Sequence, residues 1–487
     1  MMERSAPLPV RINRQIGATS ADGVDALAAS GLLSATRIRT LRLLGKTADV
    51  LEVLNHLCSP SPLEALSLFV ISTAEPVDLP EALCERDMPH FRRLTFETGA
   101  HIRAPLWLLA SVTHFTTSAG VSLQELLGTL QAMPRLEVLR VEYILSKWDS
   151  IDTSGQFPLA RAMLPHLSLL AVRENASPHR LVVLSSFIDA PPTLHRHLFW
   201  RVFLMYRYGW EPEIFTAVQA LVPQDSARGM DDGGLRSAQV SGGLAHGSFE
   251  AWSRTDTDTD AFTREDALFL FRLDWERVLI PPIIAPDAES PGPLDDSCPF
   301  FHLASLCAGL QTTRIEDLTV APEIWSATES ETAHLPCQRT PDVRAQWLAL
   351  LAALPSVKTL RLHRGSPACV SVLRALAASP GLLPHLQKVF VVQSTVRYAA
   401  GSAARGSGVG VADAEPEAAY AMAGHKFVQE NVGAGLVEAV SVRSGLEIVL
   451  VGCEVDEEAL KALRKRARVD FLNEWEYPQS VHDVTLE

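Results

Sequence analysis

The chain is short of several things at once. Its 487 residues include only seven cysteines, Cys58, Cys84, Cys298, Cys307, Cys337, Cys369 and Cys453, and no two form a C-x-x-C pair. An odd, scattered set speaks against a disulfide framework or a zinc ribbon and fits reduced thiols in a cytoplasmic or nuclear compartment. No apolar run reaches the roughly 18 residues that a membrane helix needs. The opening stretch Met1–Asn13 lacks the apolar core of a signal peptide. Basic residues are outnumbered 43 to 57, for a net charge of −14. That balance disfavours general nucleic-acid binding through phosphate neutralisation and favours solubility without naming a partner.

Catalytic and cofactor signatures are equally scarce. There is no G-x-S-x-G elbow and no H-E-x-x-H pair. Gly45-Lys46-Thr47 resembles the end of a phosphate loop, but Thr40 stands where the first glycine is required. Gly406-Ser407-Gly408-Val409-Gly410 lacks the strand–turn–helix context of a dinucleotide site. Asp256-Thr257-Asp258-Thr259-Asp260 starts like a calcium loop, yet Ala261 and Ala267 replace its glycine and its bidentate glutamate. Trp200, Trp210, Trp252 and Trp275 fall around the middle of the chain; core packing is the expectation for each, with a partner-binding aromatic patch as the alternative. No cofactor, metal or catalytic residue is expected.

What is present is a repeat. Met88-Pro89-His90-Phe91-Arg92-Arg93-Leu94 returns at Met133–Leu139, Leu164–Leu170, Leu354–Leu360 and Leu383–Val389. Each copy follows a helix-like apolar stretch and precedes a short strand-like one. The proline stops the helix, because it lacks an amide hydrogen and disfavours helical geometry before it. His90, His166 and His385 share one repeat position and are expected as structural turn residues. Weaker copies lie at Ile38–Leu43, Leu63–Leu68 and Val112–Phe115. With Leu41, Leu66, Leu94, Phe115, Leu139, Leu170 and Leu198 as strand centres, the gaps are 25, 28, 21, 24, 31 and 28 residues. Leucine-rich repeats run at about 20–29 residues.

The expected fold is therefore an α/β leucine-rich-repeat solenoid, a horseshoe of irregular repeats of about 21–31 residues with a parallel concave sheet and outer helices. The apolar skeleton ends in two positions two apart, which is strand spacing. They point together into the core, and the residues between and after them face the concave side. Those residues are Arg42, Thr95, Glu97, Arg140, Glu142, Arg173, Arg361 and His363, the candidate partner-binding set. Helices are expected at Val50–Leu57 and at Leu123–Met133, the second with Ser122 and Glu125 spaced as a capping box.

Composition divides the chain. Residues 1–223 carry N-terminal repeats. Residues 224–262, rich in glycine with seven acidic residues, are expected as a flexible insertion. Irregular repeats occupy 263–394, with strands expected near Phe269–Leu273 and Ile315–Val320. A small-residue linker covers 395–414. The last repeat and a polar capping helix at Glu457–Arg468 fill 415–487. That helix carries Lys461, Arg464, Lys465, Arg466 and Arg468; a solvated face is expected, and a nuclear-import signal is the alternative.

The L/M-P-H/R-L-x-x-L turns, the segment PSPLEALSLFV and the run LPHLSLLAVRENASPHRLVVLSSFIDAPPTL resemble the leucine-rich region of the F-box-like proteins of mushroom-forming fungi. Glu3–Ile12 (ERSAPLPVRI) is similar to the stretch that follows the F-box in that family. The resemblance spans most of residues 3–223 and the copies at 354–394. It implies a non-enzymatic protein-binding scaffold that presents its concave face to a protein substrate. It also implies docking to a Skp-type adaptor of a cullin ubiquitin ligase, but only if an F-box is encoded upstream of Glu3. A stand-alone regulatory or decoy repeat protein is the alternative; an α/β enzyme would need a cleft of convergent titratable groups, and no such constellation stands out. The expected partner is a protein, not nucleic acid or a membrane.

Overall fold

The computed structural model describes residues 10–15, 38–55, 63–71, 77–79, 88, 90–96, 102–104, 106–118, 123–142, 161–174, 183–191, 193–203, 235–242, 246–253, 267, 269–276, 312–321, 343–363, 367–397 and 432–472. The chain divides into two units, Met1–Arg201 and Val202–Glu487.

The recurring proline motif closes a turn. The amide of its fourth residue donates to the carbonyl of its first, Phe91 to Met88 at 3.0 Å, Leu136 to Met133 at 3.1 Å, Leu167 to Leu164 at 3.1 Å, Val357 to Leu354 at 3.3 Å and Leu386 to Leu383 at 3.0 Å. Both apolar ends of every copy are buried, while His90, His166 and His385 at the third position are exposed. An i to i+3 bond between two buried residues turns the chain under the core and aims it into the next strand.

In the first unit the strands are β1 (Val10–Gln15), β2 (Ile38–Lys46), β3 (Ala65–Ile71), β5 (Arg93–Phe96), β7 (His114–Thr117), β8 (Val138–Glu142), β10 (Leu169–Glu174) and β12 (His195–Phe203), in that order across the sheet. Every neighbouring pair is parallel. Short parallel pairs form between β4 (Val77–Asp78) and β6 (Ile102–Arg103) and between β9 (Ala162–Met163) and β11 (Ile188–Asp189). Helices α1 (Thr47–Asn55), α2 (Leu106–Leu109) and α3 (Leu123–Gln131) lie between strands. Buried Val50, Val53 and Leu54 of α1 and Leu123, Leu126, Leu127 and Leu130 of α3 recur at helix spacing. Ser122, expected as an N-cap, lies outside the described residues.

Register lines up the leucines. Leu41, Leu66, Leu94, Phe115, Leu139 and Leu170 sit opposite one another from β2 to β10, all buried. Leu43, Leu68, Phe96, Thr117, Val141, Val172 and Leu198 form the second row. Full burial of each leucine, valine or phenylalanine in these rows contributes about 1.5–3 kcal/mol. Leu198, expected as a strand centre beside Leu170, pairs with Val172; Arg196 faces Leu170. In the other copies the row residue stands three after the one that closes the turn, as Leu170 does after Leu167; here Leu194 closes the turn on Pro191 and Arg196, two after it, faces Leu170.

The second unit runs β15 (Phe269–Glu276), β14 (His246–Trp252), β13 (Ser237–Gly242), β16 (Asp317–Ala321), β17 (Thr359–His363), β18 (Lys388–Val392), β20 (Glu447–Val451) and β22 (Arg468–Leu472) across its sheet. β13, β14 and β15 pair antiparallel; from β13 through β16 to β22 the pairs are parallel. Helices α4 (Val343–Ala352), α5 (Pro367–Ala378), α6 (Gly433–Ser441) and α7 (Glu457–Arg464) alternate with the later strands, and β19 (Thr395–Val396) pairs with β21 (Glu454–Val455). Asp456 caps α7 by accepting from the amide of Ala459 at 2.6 Å. Gly433 opens α6 where a Cβ would collide with the backbone of Arg397.

Three expectations are corrected here. The stretch 224–262, expected as a flexible insertion, contains β13 and β14, whose Ala238, Val240, Phe249, Ala251 and Trp252 are buried. Gly242 and Gly247 pair with each other across the two strands, and Ser248 to Trp252 are buried without a break, so β14 is covered on both faces. The expected linker from 395 begins with β19; residues 398–414 lie outside the described residues. The capping helix ends at Arg464, and Arg468 opens a further strand.

Candidate functional site

Four strands of the first unit, β5, β7, β8 and β10, begin on a shared carbonyl. The Glu64 carbonyl accepts from the amides of Arg92 and Arg93, that of Arg92 from Thr113 and His114, that of Thr113 from Glu137 and Val138, and that of Glu137 from Ser168 and Leu169. This ladder fixes which residue of each repeat enters the sheet. Strand alternation then decides which side chains share the face opposite the leucine rows.

Three rows of that face follow from the register. The first contains Arg11, Thr40, Ala65, Arg93, His114, Val138, Leu169 and His195. The second contains Asn13, Arg42, Ser67, Thr95, Thr116, Arg140, Ala171 and His197. The third contains Leu44 and Phe69 at one end and Glu142, Arg173 and Phe199 at the other. Arg42 and Arg140 are exposed; Thr95, Glu142 and Arg173 are half-buried. The Arg173 guanidinium lies 5.6 Å from the centre of the Phe199 ring. Glu97 lies outside the described residues.

Arg361 and His363 sit on the corresponding face of β17 but are not exposed there: they keep 9% and 7% of their surface. Arg361 is 3.6 Å from the Asp317 carboxylate and 5.1 Å from the Phe390 ring centre. Lys388 approaches the same ring at 4.9 Å and pairs with Glu447 at 2.9 Å. His363 shares its row with Val392, Val451 and Leu472, part of an apolar cluster with Val449 and Phe390. The expected gripping residues of the second unit are thus consumed by its own packing.

Leucine spacing also missed members of the site. Arg93 and His114 immediately precede their core residues Leu94 and Phe115, and alternation puts them on the open face as surely as the residues that follow. The His114 pKa is pushed below its usual value, first by burial and then by Arg93, with Arg140 acting the same way and Glu137 opposing. Arg93 and Arg140 therefore converge on one imidazole. The Thr113 hydroxyl lies 2.9 Å from its Nδ1. Phe69 is 39% exposed on the same face.

No family model matches the chain, and no characterised protein matches it in sequence. Among solved structures it is similar to the protein chain of the "Crystal structure of TLR13-ssRNA13 complex", at 9% identity and a TM-score of 0.27. That alignment covers 90% of this chain and 49% of the other, so this chain spans about half the length of that one. At such a score the likeness adds nothing to the repeat already visible here.

Other sequence fragments resolve simply. β2 runs through Lys46 and α1 starts at Thr47, so Gly45-Lys46-Thr47 forms no loop. Among the described residues, no group of three or more His, Cys, Asp or Glu side chains is placed to hold a metal ion. Also among them, no helix is long and apolar enough to cross a membrane.

Proposed function

We propose that this chain is a non-enzymatic scaffold that binds a protein partner on the open sheet face of its first unit. One observation carries the reading: the row Arg42, Ser67, Thr95, Thr116 and Arg140 crosses five parallel strands with exposed or half-buried side chains, held by a leucine core behind it. A rigid sheet offers such side chains at a fixed pitch of about 4.8 Å, which suits recognition of an extended protein surface. The resemblance to F-box-like leucine-rich-repeat proteins supports the same role. In that setting the chain is a substrate receptor of a cullin-type ligase, and a Skp-type adaptor is its second partner where an F-box is encoded upstream.

A photocrosslinker placed at Thr116 on the open face, and in a second preparation at exposed Gln124 on α3, tests the reading. The partner is expected to crosslink from Thr116 and not from Gln124; crosslinking from Gln124 alone, or equally from both, overturns it. The ligase role is separately decided by translating the DNA upstream of Met1. An in-frame stop codon with no F-box before it removes that role and leaves the scaffold.

A further inference from the structure

We propose that the partner docks through an acidic segment, with Arg93 and Arg140 on the open face of the first unit supplying the countercharge. This partner class rests on the scaffold reading above and gives it a chemistry.

The three rows of that face hold Arg11, Arg42, Arg93, Arg140 and Arg173 against the single carboxylate of Glu142 among their described residues. The whole chain carries −14, so this concentration of positive charge is local and does not reflect a basic protein. The cationic groups are all arginines, whose planar fork matches a carboxylate in bidentate fashion.

Elsewhere, basic residues at the strand starts are spent on the fold. Arg39 pairs with Glu64 at 2.5 Å, Arg236 with Glu316 at 3.1 Å and Lys358 with Glu316 at 2.8 Å. Arg93 and Arg140 are exposed, and neither forms an ion pair with another described residue. Two strands and one row apart, their Cα atoms are about 12 Å from each other, with His114 between them. A carboxylate bound over His114 relieves the repulsion that the two guanidiniums exert there.

The surroundings favour a protein over nucleic acid. Phe69 is exposed, and Leu44 and Phe199 are half-buried in the adjoining row. Arginine beside aromatic and aliphatic surface is the composition of protein-interface hot spots. Glu142 on the face and the strongly negative remainder of the chain oppose a phosphate backbone.

The test measures fluorescence anisotropy of a labelled Glu-Ser copolymer peptide against the full chain, at low and at raised salt, with labelled oligothymidylate as the nucleic-acid arm. The wild type is expected to bind the acidic peptide and to lose affinity as salt rises. Arg93→Glu with Arg140→Glu is expected to weaken binding about tenfold or more. Lys461→Glu with Arg464→Glu, an equal charge change on α7, is expected to leave it unchanged. Absence of wild-type binding, equal losses in the two pairs, or oligothymidylate bound as tightly as the peptide each overturns the proposal. If the glutamate pair does not fold, Arg93→Gln with Arg140→Gln replaces it, with a smaller loss expected and an undiminished affinity overturning. Ser67→Trp with Thr95→Trp separates the two levels, since it blocks the face, keeps position 116 for the crosslinker and leaves the charge of the face. A crosslinked partner lost from the tryptophan pair but kept by the charge variants sinks the acidic chemistry alone. A partner kept by both sinks the scaffold face as well.

Discussion

Leu170 of β10 lies in register with Arg196 of β12, so an arginine occupies the position that leucine or phenylalanine fills in six strands of its row, β2 to β10. Burial pushes the Arg196 pKa below its usual value. Among the described residues its guanidinium donates one long bond, 3.4 Å, to the Leu194 carbonyl. A poorly compensated cation in an apolar row destabilises. Arg196→Leu is expected to raise stability by about 1 kcal/mol, read as a higher urea midpoint; a clear drop refutes the register argument.

Buried and exposed residues of one strand respond differently. Leu139 and Leu170 are 0% and 1% exposed, so replacement of either by alanine is expected to cost about 2–5 kcal/mol. Arg140 and Arg42 are exposed on the other face, and their replacement by alanine changes stability by roughly 0.5 kcal/mol or less. Chemical denaturation of the four variants checks the inward and outward assignment directly.

From the sequence, excision of residues 226–258 looks harmless, because loop length alone costs little. The structure reverses that expectation. The cut removes β13 and β14, which stand between β15 and β16 and bury Phe249 at their centre. Loss of the cooperative melting transition of the second unit is expected, with early proteolysis there. An unchanged melt shows that the two strands add nothing to the sheet.

His114 sets a pH dependence. Its pKa is lowered on folding, chiefly by burial, so the unfolded chain binds its proton more tightly. The stability tied to this group is therefore complete above pH 6.5, the usual histidine value, and is lost as pH falls from there through the lower folded pKa. An NMR titration should place the imidazole below its usual pKa. Arg93→Gln should move it upward, because Arg93 is the second cause of the shift; an unmoved titration separates Arg93 from the site.

Arg443 ties two repeats together. Its guanidinium donates to the carbonyls of Leu383 at 3.1 Å and Ser379 at 3.4 Å, and also to that of Leu382. These carbonyls follow the end of α5, where Leu383 takes a left-handed backbone with φ 45°. Arg443→Ala takes this donor from the Leu382 carbonyl and one of two bonds from those of Leu383 and Ser379, which still accept from the amides of Leu386 and Leu382; it is expected to cost about 1 kcal/mol. Arg443→Lys should recover only part, since a point ammonium cannot span three carbonyls. Equal stability of lysine and arginine at this position, measured by urea unfolding, contradicts the clamp.

The leucine spacing and the proline turns determined the repeat by themselves, because both act within a few residues. An i to i+3 turn needs only Met133 to Leu136, and strand alternation needs only Leu139 and Val141. Even the degenerate copy at Phe115 took its place in the row on that local signal. The neighbours of each strand were settled only by stacking. Register two residues earlier made Arg196, not Leu198, the partner of Leu170; antiparallel pairing turned a glycine-rich acidic stretch into β13 and β14; and Asp317 with Phe390 drew Arg361 out of reach. The meeting of Arg93, His114 and Arg140 belongs to the same class. Those three residues are 21 and 26 positions apart in succession, and only hydrogen bonding between separate strands brings their charges within range of one another.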